Sequence, residues 1–191
     1  MNITKTYIEG LIVIEPSIFT DSRGSFFESW NSKKFKEIGI NENFDQDNQS
    51  VSLKGVIRGL HFQNPPFAQA KLVRVIKGSV LDVAVDLRKK SKTYGMYYSL
   101  VLSEKNNKSF FIPKGFAHGF LSLEDNTVFS YKCTETYNKA SEGALLWSDK
   151  DLNINWQINN GYYLYKNSVK IVNGDNAVSY THLTLPTILL V

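Results

Sequence analysis

The sequence predicts an all-β fold, a sandwich or barrel of short strands with a few short peripheral helices. Three observations lead there: runs rich in Val, Ile, Phe and Tyr recur along the chain, turn residues separate them, and apolar residues alternate at the strand period. The 191 residues suit a single domain that buries one core without disulfide or metal support.

The clearest strand is Ser79-Val80-Leu81-Asp82-Val83-Ala84-Val85-Asp86-Leu87. Alternation turns Val80, Asp82, Ala84 and Asp86 to one side and Leu81, Val83, Val85 and Leu87 to the other, and the second side is expected to be the core. Residues 97–102 and 128–133 read as further strands, with Lys77-Gly78 and Pro113-Lys114-Gly115 as punctuation. One helix is expected over 32–38, where Phe35 and Ile38 lie on one side among lysines. With no internal repeat, low-complexity stretch or linker to divide the chain, any chemistry belongs inside one barrel-like unit.

Composition narrows the function classes. Hydrophobic residues make up 42% and charged residues 21%, the balance of an ordinary globular protein. The net charge of +4 comes from 22 basic and 18 acidic residues scattered along the chain, which excludes a basic stripe for nucleic acid. No apolar run approaches the roughly 20 residues of a membrane helix. A single cysteine, Cys133, and no signal-type N-terminus lead to an expected cytoplasmic location. Residues 178–187, Val-Ser-Tyr-Thr-His-Leu-Thr-Leu-Pro-Thr, resemble the translation of a transposon-end sequencing adaptor. The expected domain is therefore 1–177, with 178–191 a non-native tail, and His182 is set aside.

Several blocks can carry chemistry. In Gly55-Val56-Ile57-Arg58-Gly59-Leu60-His61-Phe62-Gln63, Arg58 and His61 project to opposite faces of a regular strand, unless Gly59 bulges the chain and brings them together. His118 sits in Ala117-His118-Gly119, where glycine permits a close approach of backbone and ligand. Taken singly, each histidine is more often a hydrogen-bonded structural residue than a catalyst. Lys71 leads into a buried-looking run, where an ammonium needs an anionic partner or substrate. Tyr131 shares a face with Phe129 and reads as core packing unless a histidine faces it across a pocket. The turn around Arg23, with Glu28 downstream, fits either a surface hairpin or a guanidinium fork for phosphate.

Taken in order, these blocks resemble the dTDP-4-dehydrorhamnose 3,5-epimerase family of cupin-fold enzymes. The resemblance runs from about residue 12 to 156. It rests on Phe19-x-Asp21-x-Arg23-Gly24-x-Phe26-x-Glu28, Gln46-Asp47-Asn48-x-Ser50, Arg58-Gly59-Leu60-His61-Phe62-Gln63, Lys71-Leu72-Val73-Arg74-Val75, Asp82-Val83-Ala84-Val85-Asp86-Leu87-Arg88, Ile112-Pro113-x-Gly115-Phe116-Ala117-His118-Gly119-Phe120 and Tyr131-Lys132. It implies a cupin-type jelly roll. It also implies inversion of C3 and C5 of a 4-keto sugar carried on dTDP, without metal or other cofactor. In that scheme His61 is the base, Tyr131 the acid across the sugar, and Lys71 the cation beside the enolate oxygen. The implied substrate-binding residues are Arg23, Glu28, Gln46, Asp47, Asn48, Arg58, Lys71, His118, Glu142 and Lys166. Glu28 would reach a site shared across a homodimer.

One departure stands near the end. The family's Leu-Ser-x-Lys-Asp segment reads Tyr163-Leu164-Tyr165-Lys166-Asn167 here, so Asn167 occupies the position of the aspartate that orients the catalytic histidine. True substitution, a shifted alignment in which Asp175 serves, and sequence error beside the adaptor-like tail each account for it. A metal-dependent cupin would want a second histidine two residues after His61, and that residue is Gln63. The remaining alternatives are a single-centre epimerase or keto-isomerase on another nucleotide-linked 4-keto sugar, and an inactive sugar-nucleotide-binding homologue.

Overall fold

The computed structural model describes residues 1–146. The N-terminal strands are β1 (Asn2–Lys5), β2 (Ile12–Glu15), β3 (Phe19–Asp21) and β4 (Gly24–Phe26), followed by helix α1 (Ser32–Glu37). Four strands then run in series: β5 (Gln46–Ser52), β6 (Ile57–Gln63), β7 (Lys71–Lys77) and β8 (Ser79–Asp86). Four more return: β9 (Tyr97–Ser103), β10 (Ser109–Ile112), β11 (Phe116–Ser122) and β12 (Thr127–Cys133). A 3₁₀ turn, Lys139–Ser141, leads to β13 (Glu142–Ala144).

The pairing of the two series defines the architecture. β8 pairs with β9, β7 with β10, β6 with β11 and β5 with β12, all antiparallel. This is one long nested hairpin, rolled so that alternate pairs fall into different sheets, which is the jelly roll. One sheet has the order β1-β2-β10-β7-β12-β5, the other β13-β6-β11-β8-β9, and β3 with β4 forms a separate hairpin. The all-β jelly-roll expectation holds.

The main core fills the space between the sheets. Val73, Val75, Phe110, Ile112 and Phe129 from one sheet meet Val80, Ala84, Phe116 and Phe120 from the other. Each buried phenylalanine contributes about 2 kcal/mol by leaving water. Strand β8 departs from the expected pattern, because both of its faces are covered. Val80 and Ala84 face the main core, while Val83 and Val85 join Leu60 and Ala117 in a second cluster on the outer side of the same sheet. Its near-continuous apolar run belongs to a strand buried on both faces.

The expected helix forms over Ser32–Glu37, where Asn31 caps it by accepting from the Lys33 and Lys34 amides and Phe35 supplies its buried contact. Beyond the main-chain paths, Lys166, Asn167, Asp175 and the adaptor-like tail lie outside the described residues.

Candidate active site

Cross-strand register places side chains in rows along the inner face of the larger sheet. Lys71, Cys133 and Gln46 form one row, and Val73, Tyr131 and Asn48 the next. The apolar row of Val75 and Phe129 lies beyond, so the inner face changes from core to polar lining as it approaches one end of the sandwich.

The facing sheet supplies the histidines. His61 pairs with His118, and Arg58 pairs with Phe120, so three residues of β6 span two of β11. This is the bulge that Gly59 permits, and its φ of +126° suits glycine. His118 and Phe120 share the inner face, and paired residues share a face, so Arg58 and His61 also point inward. The glycine of Ala117-His118-Gly119 lies against the backbone of β6. A Cβ on Gly119 would lie 2.6 Å from the Arg58 carbonyl oxygen, and one on Gly59 would lie 2.8 Å from that of His118. The two glycines let strands meet closely, and the close approach is between backbones.

Between these walls lies an open cavity of about 350 Å³. Its lining includes His61, Lys71, Tyr131, Gln46, Asn48 and Glu142, all of them expected site residues. Burial pushes the His61 imidazole below its ordinary value, the Lys71 charge adds to this, and Glu142 opposes it. Burial also raises the Tyr131 phenol and lowers the Lys71 ammonium. The consequence at neutral pH is an unprotonated imidazole and a protonated phenol lining one cavity, a pair able to accept and to give a proton. Among the described residues no carboxylate forms an ion pair with Lys71, although the charges of Asp82 and Glu142 favour its protonated form.

His118 lies beside His61 rather than on the cavity surface. Its Nε2 is 3.0 and 3.1 Å from the two carboxylate oxygens of buried Asp82, and its ring stacks near Phe129. Arg58 Nε donates to Ser52 Oγ at 3.0 Å, and its charge acts on both His61 and Tyr131.

Other expected residues lie elsewhere in the chain's own fold. Asp47 alternates with Gln46 and Asn48, so its side chain turns to the outer face and pairs with Lys132 at 2.6 Å. Arg23 stands at the tip of the β3–β4 hairpin, exposed and paired with Asp21. Glu28 binds Asn31 and Lys34 beside the helix. Neither Arg23 nor Glu28 lines this cavity.

Tyr137, Gln63, Gln69 and Cys133 line the cavity without having been singled out as site residues. Tyr137 donates its hydroxyl to Glu142 Oε2 at 2.8 Å. It sits on an irregular crossing segment, and periodicity carries no information there. For Gln63, its place two residues after His61 on β6 was the available signal, since both face the same side.

Cupins are jelly-roll proteins whose chemistry occupies the open, polar end of the sandwich, and this chain is one of them. A family profile described as dTDP-4-dehydrorhamnose 3,5-epimerase matches residues 5–179. A dTDP-4-dehydrorhamnose 3,5-epimerase from Methanothermobacter thermautotrophicus is 51% identical over 154 residues, covering 81% of this chain and 83% of that protein. The crystal structure of an Elizabethkingia anophelis enzyme of that name superposes with a TM-score of 0.82 at 49% identity, covering 87% of this chain and 92% of the other. A Legionella pneumophila dTDP-6-deoxy-D-glucose-3,5-epimerase, solved in complex with dTDP-4-keto-L-rhamnose, gives 0.81 at 46% identity, with 86% and 88% covered. The chain belongs to the dTDP-4-dehydrorhamnose 3,5-epimerase family.

Proposed function

We propose that this chain inverts C3 and C5 of dTDP-4-dehydro-6-deoxy-D-glucose to give dTDP-4-dehydro-L-rhamnose, with His61 as base, Tyr131 as acid and Lys71 as the cation at the enolate. The observation that carries the reading is that His61 and Tyr131, from facing sheets, line one cavity with Lys71.

The 4-keto group acidifies the neighbouring C3 and C5 protons. His61 takes a proton from one face of the ring, the bonding pair moves into the carbonyl, and negative charge collects on the C4 oxygen. A nearby ammonium stabilises that charge where it develops. The Tyr131 hydroxyl then gives its proton to the carbon from the other face, which inverts the centre. Exchange with water resets both groups before the second carbon reacts. Neither step needs a metal or an organic cofactor.

The reading extends to the assembly. Arg23, Glu28 and Asp47 do not face their own chain's cavity, which favours a homodimer in which they contribute across the interface, together with Gln46, Asn48, Arg58, His118, Glu142 and Lys166, in holding sugar, diphosphate and base. The reaction is assigned to the cytoplasm.

Incubation with dTDP-4-dehydro-6-deoxy-D-glucose, followed by proton NMR of the sugar ring, tests this. Inversion at both carbons supports the double epimerase. Inversion at one carbon means a single-centre relative, and an unchanged spectrum with retained binding means a sugar-nucleotide-binding homologue.

A further inference from the structure

The segment between β12 and the 3₁₀ turn carries Tyr137, which lines the cavity. Its main chain is held by side-chain amides. Gln69 Nε2 donates to the Glu135 carbonyl at 2.7 Å, and Gln63 Nε2 to the Thr136 carbonyl at 3.3 Å. The Tyr137 amide donates to Gln46 Oε1 at 2.8 Å, and the Asn138 amide to Gln63 Oε1 at 2.7 Å. Four consecutive residues are thus each gripped through the backbone by one of three glutamines. At its start, Thr134 is anchored through reciprocal bonds with Ala70.

Gln63 is the centre of this clasp. It is 7% exposed, and its amide also donates to the Phe67 carbonyl at 2.7 Å, so both ends of the group are engaged in joining two loops to β6. A buried amide with this many partners is set in place and leaves its neighbours little freedom.

We infer that Gln63 is a positioning residue: with Gln46 and Gln69 it fixes residues 135–138 as a preset wall of the site, and so governs nucleotide-sugar affinity through Tyr137 and Glu142 rather than proton transfer. The inference rests on the site reading above. His61, Tyr131 and Lys71 are held by the strand pairings of β6 with β11 and of β12 with β7, so loosening the wall leaves them in register.

The test compares the full chain with Gln63→Met, a near-isosteric change that removes every bond of the amide, and with Gln69→Met, which removes one. Amide hydrogen exchange at Tyr137 and Asn138, dTDP affinity by calorimetry, and KM and kcat on the 4-keto sugar are read together. Gln63→Met is expected to speed exchange at those two amides, weaken dTDP binding roughly tenfold, as losing one net hydrogen bond would, and raise KM similarly with kcat within about twofold. Gln69→Met gives a smaller change in the same sense. Wild-type affinity and exchange in a folded Gln63→Met variant overturn the inference, as does a fall in kcat at unchanged KM. If Gln63→Met does not fold, Gln69→Met decides by the same criteria, and failure of both to fold also overturns it. A wild-type protein that shows no epimerisation sinks the functional proposal, while the exchange data still judge the clasp.

Discussion

His61 and Tyr131 belong to opposite sheets, β6 in the five-stranded and β12 in the six-stranded, yet they line the same cavity. A jelly roll makes this arrangement accessible, because its nested hairpin sends alternate pairs to opposite walls. A base and an acid on one sheet would approach a ring from the same side. Placed on facing sheets, they can address both faces of a flat intermediate.

The pH profile follows from the burial of these two groups. The imidazole lies below its ordinary 6.5 through burial and the Lys71 charge, and the phenol lies above its ordinary 10.0 through burial. The base must be neutral and the acid protonated. We therefore expect kcat/KM to rise along an acidic limb below pH 6.5 and to fall along an alkaline limb that begins below pH 10.5, where the buried Lys71 ammonium loses its proton. An acidic limb above 6.5 contradicts the environment described. Folding lowers the proton affinity of His61, so its stability share is complete above 6.5 and is lost as pH drops below it.

Gly59→Ala tests the bulge that aligns Arg58 with His61. The added methyl must meet the His118 carbonyl oxygen at 2.8 Å, and alanine is strained at a φ of +126°. A stability loss of about 1–3 kcal/mol is expected from the backbone strain alone, with a parallel fall in kcat/KM. Urea denaturation with steady-state assays measures both, and wild-type values in each would show that the register does not depend on glycine.

Much of this was legible in the sequence. Alternation located β8, β9 and β12, and Lys77-Gly78 and Pro113-Lys114-Gly115 marked real strand ends. The choice between bulge and regular strand at Gly59 stayed open until the pairing of β6 with β11 decided it. Alternation assigned the core to the Leu81, Val83, Val85 and Leu87 side of β8, whereas Val80 and Ala84 on the other side face the main core, where Asp82 and Asp86 are buried against partners, His118 and Arg88. Binding by Gln46, Asp47 and Asn48 came from resemblance as a block. Strand alternation separates Asp47 from the other two, a distinction the motif does not make.

Asp86 offers a separate stability test. Burial pushes its carboxyl up, but bonds from Arg88, Ser91 and Thr93 outweigh this and hold it well below the ordinary 3.8. Arg88 Nε and Nη2 each donate at 2.8 Å, and the Ser91 and Thr93 hydroxyls at 2.6 and 2.7 Å. In Asp86→Asn an amide donor confronts donors, and a loss of about 2–3 kcal/mol is expected. The lowered folded-state value means that the carboxylate's contribution is full above pH 3.8 and fades in stronger acid. The gap between the urea midpoints of the two proteins should therefore narrow from pH 7 to pH 3 without closing, because the folded carboxyl is still ionised there, and equal stability at pH 7 would refute the assignment.

The assembly proposal is checked by light scattering after size exclusion. A dimer has twice the chain mass of 21.7 kDa. Arg23→Ala should bind dTDP more weakly while its tryptophan fluorescence and melting temperature stay close to wild type, because the side chain is exposed at a hairpin tip. An active monomer, or an unchanged dTDP affinity in that variant, would remove Arg23 from a shared site.

The central claim is that one group removes the proton and another, across the ring, returns it. The most direct measurement is NMR of dTDP-4-dehydro-6-deoxy-D-glucose in deuterated water with wild type, His61→Ala and Tyr131→Phe. Wild type should incorporate deuterium at C3 and C5 with inversion. His61→Ala should lose incorporation by about 10²–10⁴-fold and still bind substrate, while Tyr131→Phe should incorporate deuterium at a measurable rate without inverting the carbon. Undiminished incorporation in His61→Ala, or full inversion in Tyr131→Phe, would contradict the account.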